Sequence, residues 1–306
     1  MQRFDSIDAV TSALARDGYI ASDDIATTVY LAVQLGKPVL VEGPPGVGKT
    51  ELARALSRCL EKPLIHLQCY EGLDEGKALY EWKYSKQLLY TQILKDQLGD
   101  ILQGAVGLAD SVARLHQFGD IFYSEEFLEP RPLLHALRAE NGSVLLIDEV
   151  DKADEEFEAL LLEILADNQV SIPEIGTVRA VSQPLVLLTS NASRELSDAL
   201  RRRCLHLHIP YPDSALENRI VQARLPAIDR ALREQLVSFV QQLRDLELRK
   251  APAVSETLDW ARSLVLLHAS TLEPALVRRT LNVLIKHQQD LQWVLEERPG
   301  VLSGRG

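Results

Sequence analysis

The sequence predicts an α/β fold: a central parallel sheet, followed by a run of helices. Three observations lead there. Several short apolar runs read as buried strands that end in polar or acidic residues. The first of them feeds a glycine-rich turn and then a helix. Beyond Asp213, apolar residues recur only at helical spacing.

Pro38-Val39-Leu40-Val41-Glu42 reads as the first strand, and Glu51-Leu52-Ala53-Arg54-Ala55-Leu56 as helix-forming. Between them stand Gly43, Pro44, Pro45, Gly46, Val47, Gly48, Lys49 and Thr50, a complete G-x-x-x-x-G-K-[ST] phosphate loop. A strand feeding such a turn into a helix start presents free backbone N–H groups and a positive dipole end to an anion. The glycines let the backbone wrap phosphates. Lys49 reaches the β- and γ-phosphates, and the Thr50 hydroxyl holds Mg²⁺. A Gly/Pro turn with an incidental lysine is the plain alternative. Eight residues in register, with these flanks, weigh against it.

Residues 143–149 (Ser-Val-Leu-Leu-Ile-Asp-Glu) form an apolar strand ending in two carboxylates. So apolar a strand belongs in the middle of a parallel sheet, buried on both faces. Asp148 is expected near Thr50, holding Mg²⁺ through water. Glu149, one residue on, is expected to polarise an attacking water. Standing alone, such a pair would read as a solvated strand end. Residues 184–191 give a third strand, closing on Asn191. This amide could orient the water or touch a γ-phosphate, or be an ordinary turn asparagine. Arg201, Arg202 and Arg203 then precede another apolar strand. They read either as a solvated edge-strand charge run or as an arginine finger reaching a neighbour's γ-phosphate.

These four elements, in this order, resemble an AAA+ ATPase. Residues 43–50 look like Walker A, residues 145–149 like Walker B, Asn191 like sensor 1, and Arg201 to Arg203 like the arginine-finger box. Within that family the chain resembles the MoxR branch, in the type that accompanies carbon monoxide dehydrogenase maturation. Gly18-Tyr19-Ile20-Ala21-Ser22, Leu67-Gln68-Cys69-Tyr70-Glu71-Gly72-Leu73-Asp74, Tyr80-Glu81-Trp82 and Leu200-Arg201-Arg202-Arg203-Cys204 carry this, and the likeness runs from about Gly18 to about Gln292. The resemblance implies a three-layer αβα core with a helical lid. It implies Mg²⁺-dependent ATP hydrolysis in a homo-oligomeric ring, a hexamer, remodelling or maturing a client metalloenzyme beside a von Willebrand A-domain partner. It assigns catalysis to Glu149, Asn191 and Arg203 or Arg202. Nucleotide contacts go to residues 43–50, Glu51 and Ile20, with the Tyr19-Ile20 loop at the adenine, and the metal to Thr50 and Asp148.

A long stretch separates the strand near Leu64 to Leu67 from Ser143, and branches like MoxR carry an insert here, at about residues 75–135. Residues 87–115 read largely as helix, with Leu88, Leu89, Ile93, Leu98, Ile101, Leu102, Val106 and Leu108 as apolar positions. Gln169 to Val178 alternate apolar and polar and turn near Glu174 to Gly176, so a hairpin is expected at about 169–181. In related proteins both elements face the pore or substrate; a structural hairpin with a covering helix is equally open.

Two prolines in Ile209-Pro210-Tyr211-Pro212-Asp213 close the last core strand. The expected division is a nucleotide-binding core at 1–211, a helical lid at 212–299 and a loose tail at 300–306. Leu232, Leu236, Phe239, Val240 and Leu243 recur at helical spacing, as do Leu264, Leu267, Leu276 and Leu281. Many lids of this family start a helix with a sensor 2 arginine. The matching stretch is Pro252-Ala253-Val254-Ser255-Glu256-Thr257-Leu258, with Glu256 or Thr257 in that place. A carboxylate there would repel the γ-phosphate, so sensor 2 is absent or comes from Arg249 or Lys250.

With 46% hydrophobic residues, the 306-residue chain has ample material for a core and a smaller second unit. No run is long enough for a membrane span, and the N-terminus lacks a signal-peptide layout, so a cytoplasmic protein is expected. Cys59, Cys69 and Cys204 show neither metal spacing nor a disulfide framework, as suits a reducing compartment. A net charge of −11 argues against general nucleic-acid binding, although a local basic pore is compatible with it. Two alternatives stay open: a nucleic-acid motor or clamp-loader-like ATPase, and a slow nucleotide-dependent binding scaffold.

Overall fold

Two serine caps open the chain. Ser6 accepts from the Ala9 N–H at 3.1 Å and starts α1 (Ile7–Arg16); Ser22 accepts from Ile25 at 3.3 Å and starts α2 (Asp23–Leu35). The computed structural model describes residues 4–101, 107, 123–173 and 175–297. After α2 come β1 (Val39–Glu42), α3 (Lys49–Cys59), β2 (Leu64–Gln68), the short α4 (Glu75–Ala78), β3 (Tyr80–Trp82) and α5 (Tyr84–Ile101). β4 (Leu128–Pro130), α6 (Pro132–Arg138), β5 (Val144–Asp148), α7 (Glu155–Asp167), β6 (Gln169–Ile172), β7 (Gly176–Arg179), β8 (Leu185–Ser190), α8 (Asp198–Arg203) and β9 (Leu205–His208) follow. Five helices close the described chain: α9 (Ser214–Arg224), α10 (Arg230–Arg244), α11 (Val254–Leu266), α12 (Pro274–Leu284) and α13 (Gln288–Glu297).

The main sheet has the order β2-β5-β8-β1-β9, and every pairing in it is parallel. β5 and β8 lie in its interior and are buried along their whole length. Their side chains alternate between two cores. Leu145, Ile147, Val186 and Leu188 pack with Leu133 and Leu134 of α6 and with Phe157 and Leu161 of α7. Val144, Leu146, Leu185 and Leu187 pack with Leu14, Val29, Leu52 and Leu56 of α1, α2 and α3. The predicted α/β fold is thus present as three layers. Because the strands are parallel and in register (Glu42 beside Ser190, Gln68 beside Asp148), the residues after β1, β5 and β8 gather at one edge.

The C-terminal helices surround a third core, built on Trp260, Phe239, Leu236 and Leu281. Leu267 departs from the helical stripe read for it: it caps the end of α11 and is exposed. The expected hairpin forms from β6 and β7, with Ile172 opposite Gly176. α5 is helical as expected, yet its Leu88, Leu89 and Ile93 are exposed. The remaining helix positions at Leu102, Val106 and Leu108, the turn residue Glu174 and the tail at 300–306 lie outside the described residues. Among the described residues no helix is long and apolar enough to cross a membrane, and Cys59, Cys69 and Cys204 are free thiols.

Candidate functional site

The glycine-rich turn leaves β1 and enters α3. A Cβ on Gly43 would stand 2.1 Å from the Ile209 carbonyl oxygen, so only glycine fits against the chain leaving β9. Lys49 opens α3 and is 7% exposed. Its ammonium donates to the Gly43 and Pro44 carbonyls at 2.6 and 2.9 Å and to Asn191 Oδ1 at 2.8 Å. Burial pulls the Lys49 pKa down, and the carboxylates of Asp151, Asp148 and Glu149 oppose that pull.

Asp148 ends β5 beside this turn. The Thr50 hydroxyl lies 3.2 and 3.1 Å from its two carboxylate oxygens. The Thr189 hydroxyl donates to Asp148 Oδ1 and accepts the Glu149 N–H at 2.9 Å. His66 Nε2 stands 3.3 Å from Asp148 Oδ2. Thr50 and Asp148 offer two hard oxygen donors in contact. Among the described residues, no cluster of three or more His, Cys, Asp or Glu side chains could cage a metal. That sparse donor set fits Mg²⁺, which keeps water and phosphate oxygens in its shell.

Glu149 has left-handed backbone angles, φ 56° and ψ 48°. A non-glycine residue held there costs on the order of 1 kcal/mol or more, as at sites where a side chain must be aimed. Asn191 Nδ2 donates to Glu149 Oε1 at 3.1 Å, while Gln68 Nε2 and Lys152 Nζ donate to Oε2 at 2.9 and 2.6 Å. Asn191 thus connects the Lys49 ammonium to the Glu149 carboxylate. Lys49, Thr50, Glu51, Asp148, Glu149 and Asn191 all line one cavity of about 390 Å³. A more apolar cavity of about 300 Å³ adjoins it through Gly46, Gly48, Glu51 and Ser255, and is lined by Tyr19, Ile20, Val47, Ile209 and Leu258 among others. A polar chamber joined to an apolar one suits a nucleotide, phosphates in the first and base in the second.

The sequence model of the AAA domain, dynein-related subfamily, matches residues 38–204, more than half of the chain. The chain belongs to this AAA family. It is similar to the denitrification regulatory protein NirQ of Stutzerimonas stutzeri, 28% identical over 234 residues, which covers 74% of this chain and 70% of that protein. It is likewise similar to NirQ of Pseudomonas aeruginosa, at 26% identity over 72% of this chain and 73% of that protein. Bacillus subtilis YojN is 26% identical over 76% of this chain and 67% of its own length. Among solved structures, a RuvB mutant from Thermotoga maritima superposes with a TM-score of 0.49 at 19% identity, covering 93% of this chain and 79% of that one.

In this AAA chain the start of α11 lies directly on the phosphate loop, with Ser255 N–H donating to the Gly46 carbonyl at 3.3 Å. Glu256 does not face the cleft as a bare repelling charge. Its Oε2 turns back to accept the Ala253 N–H at 3.2 Å and the Ser255 hydroxyl at 2.8 Å, capping its own helix. Thr257 is buried and bonded to Glu217 at 2.8 Å. Arg249 and Lys250 are exposed and line neither cavity; the arginines lining the more apolar cavity are Arg224 and Arg262. The Glu51 carboxylate, expected at the nucleotide, is engaged by Arg224 at 2.9 Å and Arg58 at 3.0 Å. Arg201, Arg202 and Arg203 end α8, exposed and outside both cavities. Arg203 donates to the Ala199 carbonyl at 3.0 Å, and Arg201 lies 3.8 Å from Glu42.

Sequence reasoning missed Gln68, Thr189, Asp151 and Lys152 at this site. Each is a single polar residue at or just past a strand end. Only the register of Gln68 with Asp148 shows that Gln68 meets the acid pair.

Proposed function

We propose that this chain binds Mg²⁺-ATP in the joined cavities and hydrolyses it within a homo-oligomeric ring, a hexamer, acting in the cytoplasm to remodel a client protein. One observation carries the reading: the Asn191 side chain bridges Lys49 and Glu149, while Thr50 and Asp148 are in contact beside them. In this reading Glu149 accepts the proton of a water that attacks the γ-phosphorus. The bond to the β–γ bridging oxygen breaks, and ADP and phosphate result. Lys49 offsets charge on the β- and γ-phosphates, and Asn191 fixes the line between ammonium and base. The Mg²⁺, held by Thr50 and Asp148, would draw charge from the phosphate oxygens. Residues 1–211 serve as the nucleotide-binding core and 212–299 as the lid.

Two relatives are named as regulatory proteins, which supports action on another protein. The client metalloenzyme and the von Willebrand A-domain partner rest on the resemblance to the carbon monoxide dehydrogenase maturation type of MoxR proteins. A slow nucleotide-dependent scaffold is the second reading. It is favoured by the Glu149 Oε2, which Gln68 and Lys152 both hold.

Calorimetric titration and steady-state phosphate release test the assignment together. Lys49→Ala is expected to lose most ATP affinity. Glu149→Gln is expected to bind ATP while its turnover falls about 10²-fold or more, the scale of a lost general base. Unchanged binding in Lys49→Ala would sink the site. Negligible release by the assembled wild-type protein would favour the scaffold.

A further inference from the structure

The buried carboxylate of Asp151 has no part in the reading above. It is 3% exposed and does not line the nucleotide cavity. Its Oδ1 accepts the Asn191 N–H at 3.3 Å, and its Oδ2 accepts the Ser193 N–H at 2.9 Å and the Ser193 hydroxyl at 2.6 Å. Between those residues stands Ala192, at φ +56°. Alanine in the left-handed region crowds its Cβ against the backbone, so the turn needs something to hold it. Ser190 supplies one contact, accepting the Ala192 N–H at 2.9 Å. Asp151 supplies three more, from the short turn that follows β5. Glu149, two residues before Asp151, is the second left-handed residue here. The hydrogen bonds of Asp151 join the turns after β5 and β8.

We propose that Asp151 is a positioning residue for hydrolysis: it pins the turn at 191–193 to the end of β5 and so keeps the Asn191 amide between Lys49 and Glu149. The inference rests on the hydrolytic reading of this site. Its physical basis is the donor count. A buried carboxylate is costly unless its oxygens are satisfied, and three donors from one turn fix that turn in place. Burial pushes the Asp151 pKa up, yet the Ser193 hydroxyl and the backbone N–H groups of Ser193, Asn191 and Asp151 itself outweigh it and hold the carboxyl below the usual range. It is therefore an anion, and the first of the three carboxylates that favour the charged Lys49.

The test is ATP titration with steady-state turnover on Asp151→Asn, Ser193→Ala, Asn191→Ala and the Asp151→Asn/Asn191→Ala double variant, with Glu149→Gln as control. Asp151→Asn is expected to lower kcat about 10-fold or more while nucleotide affinity stays within about 3-fold, the signature of a lost transition-state interaction. In the double variant, kcat should match Asn191→Ala alone, because both changes remove one device. Ser193→Ala keeps the charge and deletes one donor. It should cost about 3-fold in kcat, and it carries the test if Asp151→Asn does not fold. Additive losses in the double variant, or wild-type kcat in Asp151→Asn or in a lone folded Ser193→Ala, overturn the inference. If Glu149→Gln turns over like wild type, or wild type is inert, the hydrolytic reading fails and takes this inference with it. An inactive Glu149→Gln beside a fully active Asp151→Asn defeats this inference alone.

Discussion

The Lys49 ammonium donates to the Asn191 side-chain carbonyl at 2.8 Å, joining two residues 142 positions apart in the chain. Lys49 belongs to the start of α3, and Asn191 follows the last residue of β8. β1 and β8 are parallel neighbours, so their C-terminal ends lie side by side. The amide's nitrogen meanwhile donates to Glu149 after β5. Three adjacent strands thereby place an ammonium, an amide and a carboxylate in one line. A substitution at the amide changes both ends of that line.

Gly46 tests how closely the start of α11 is seated on the loop. Its φ is +76°, and an added Cβ would lie 2.6 Å from Ala253 Cβ and 2.6 Å from Ser255 Oγ. Gly46→Ala is therefore expected to push the helix start away and break the Ser255–Gly46 hydrogen bond. We expect a loss of about 1–3 kcal/mol in stability and about 10-fold weaker ATP binding, the equivalent of ~1.4 kcal/mol. Thermal unfolding with and without ATP checks it. A wild-type ATP-dependent shift in Tm would show that α11 does not constrain the loop.

Much of this site is legible in the sequence for a definite reason. Parallel strands buried on both faces read as unbroken apolar runs, so β1, β5 and β8 announce themselves, and the glycine spacing marks the turn between β1 and α3. Gln68 and Thr189 carry no such mark: a lone polar residue at a strand end gains meaning only from its register. Ser6 and Ser22 cap α1 and α2, but a serine marks a helix start only where packing completes the helix, here through Leu14 and Val29 against the sheet. Glu256 misled because its usual capping signature starts with a serine or threonine, whereas Ala253 occupies that place.

Glu217 offers a stability test in the C-terminal helices. It is fully buried and accepts from Arg244 twice at 2.7 Å, from Gln241 at 2.7 Å and from Thr257 at 2.8 Å. Glu217→Ala leaves the largely buried Arg244 guanidinium unpaired and should cost about 3–5 kcal/mol. Thr257→Val removes one donor and should cost about 1 kcal/mol. Urea unfolding measures both. A loss below about 1 kcal/mol in Glu217→Ala would mean that water replaces the carboxylate.

Asp151 predicts the acid side of the stability curve. Its folded-state pKa lies below the ordinary aspartate value. The unfolded chain therefore takes up this proton first, and the stabilisation is complete above the unfolded pKa, about 3.9. It is lost as pH falls through the folded pKa. The stability gap between wild type and Asp151→Asn should be flat above about pH 5 and shrink below about pH 4. Chemical unfolding at a series of pH values tests this, and a gap that widens toward acid would reverse the sign assigned to Asp151.

The last prediction concerns the basic triplet at the end of α8. Arg202 and Arg203 lie outside both cavities of their own chain, next to the edge strand β9. A guanidinium stays charged and grips phosphate oxygens in a planar fork, so in the proposed ring its target would be the cleft of an adjacent copy. Arg203→Ala is expected to keep nucleotide binding and lose turnover about 10³-fold, within the range seen for arginine fingers. Arg202→Ala tests its neighbour in the same way. A site shared between two subunits of the proposed ring would make the defect correctable by mixing. An Arg203→Ala subunit brings an intact Glu149, and a Glu149→Gln subunit brings an intact Arg203, so some mixed interfaces hold a complete site. Phosphate release above the sum of the separate variants is the expected result. Full activity of Arg203→Ala at concentrations where the protein sediments as a monomer would remove both the finger and the ring, leaving a self-contained nucleotide switch.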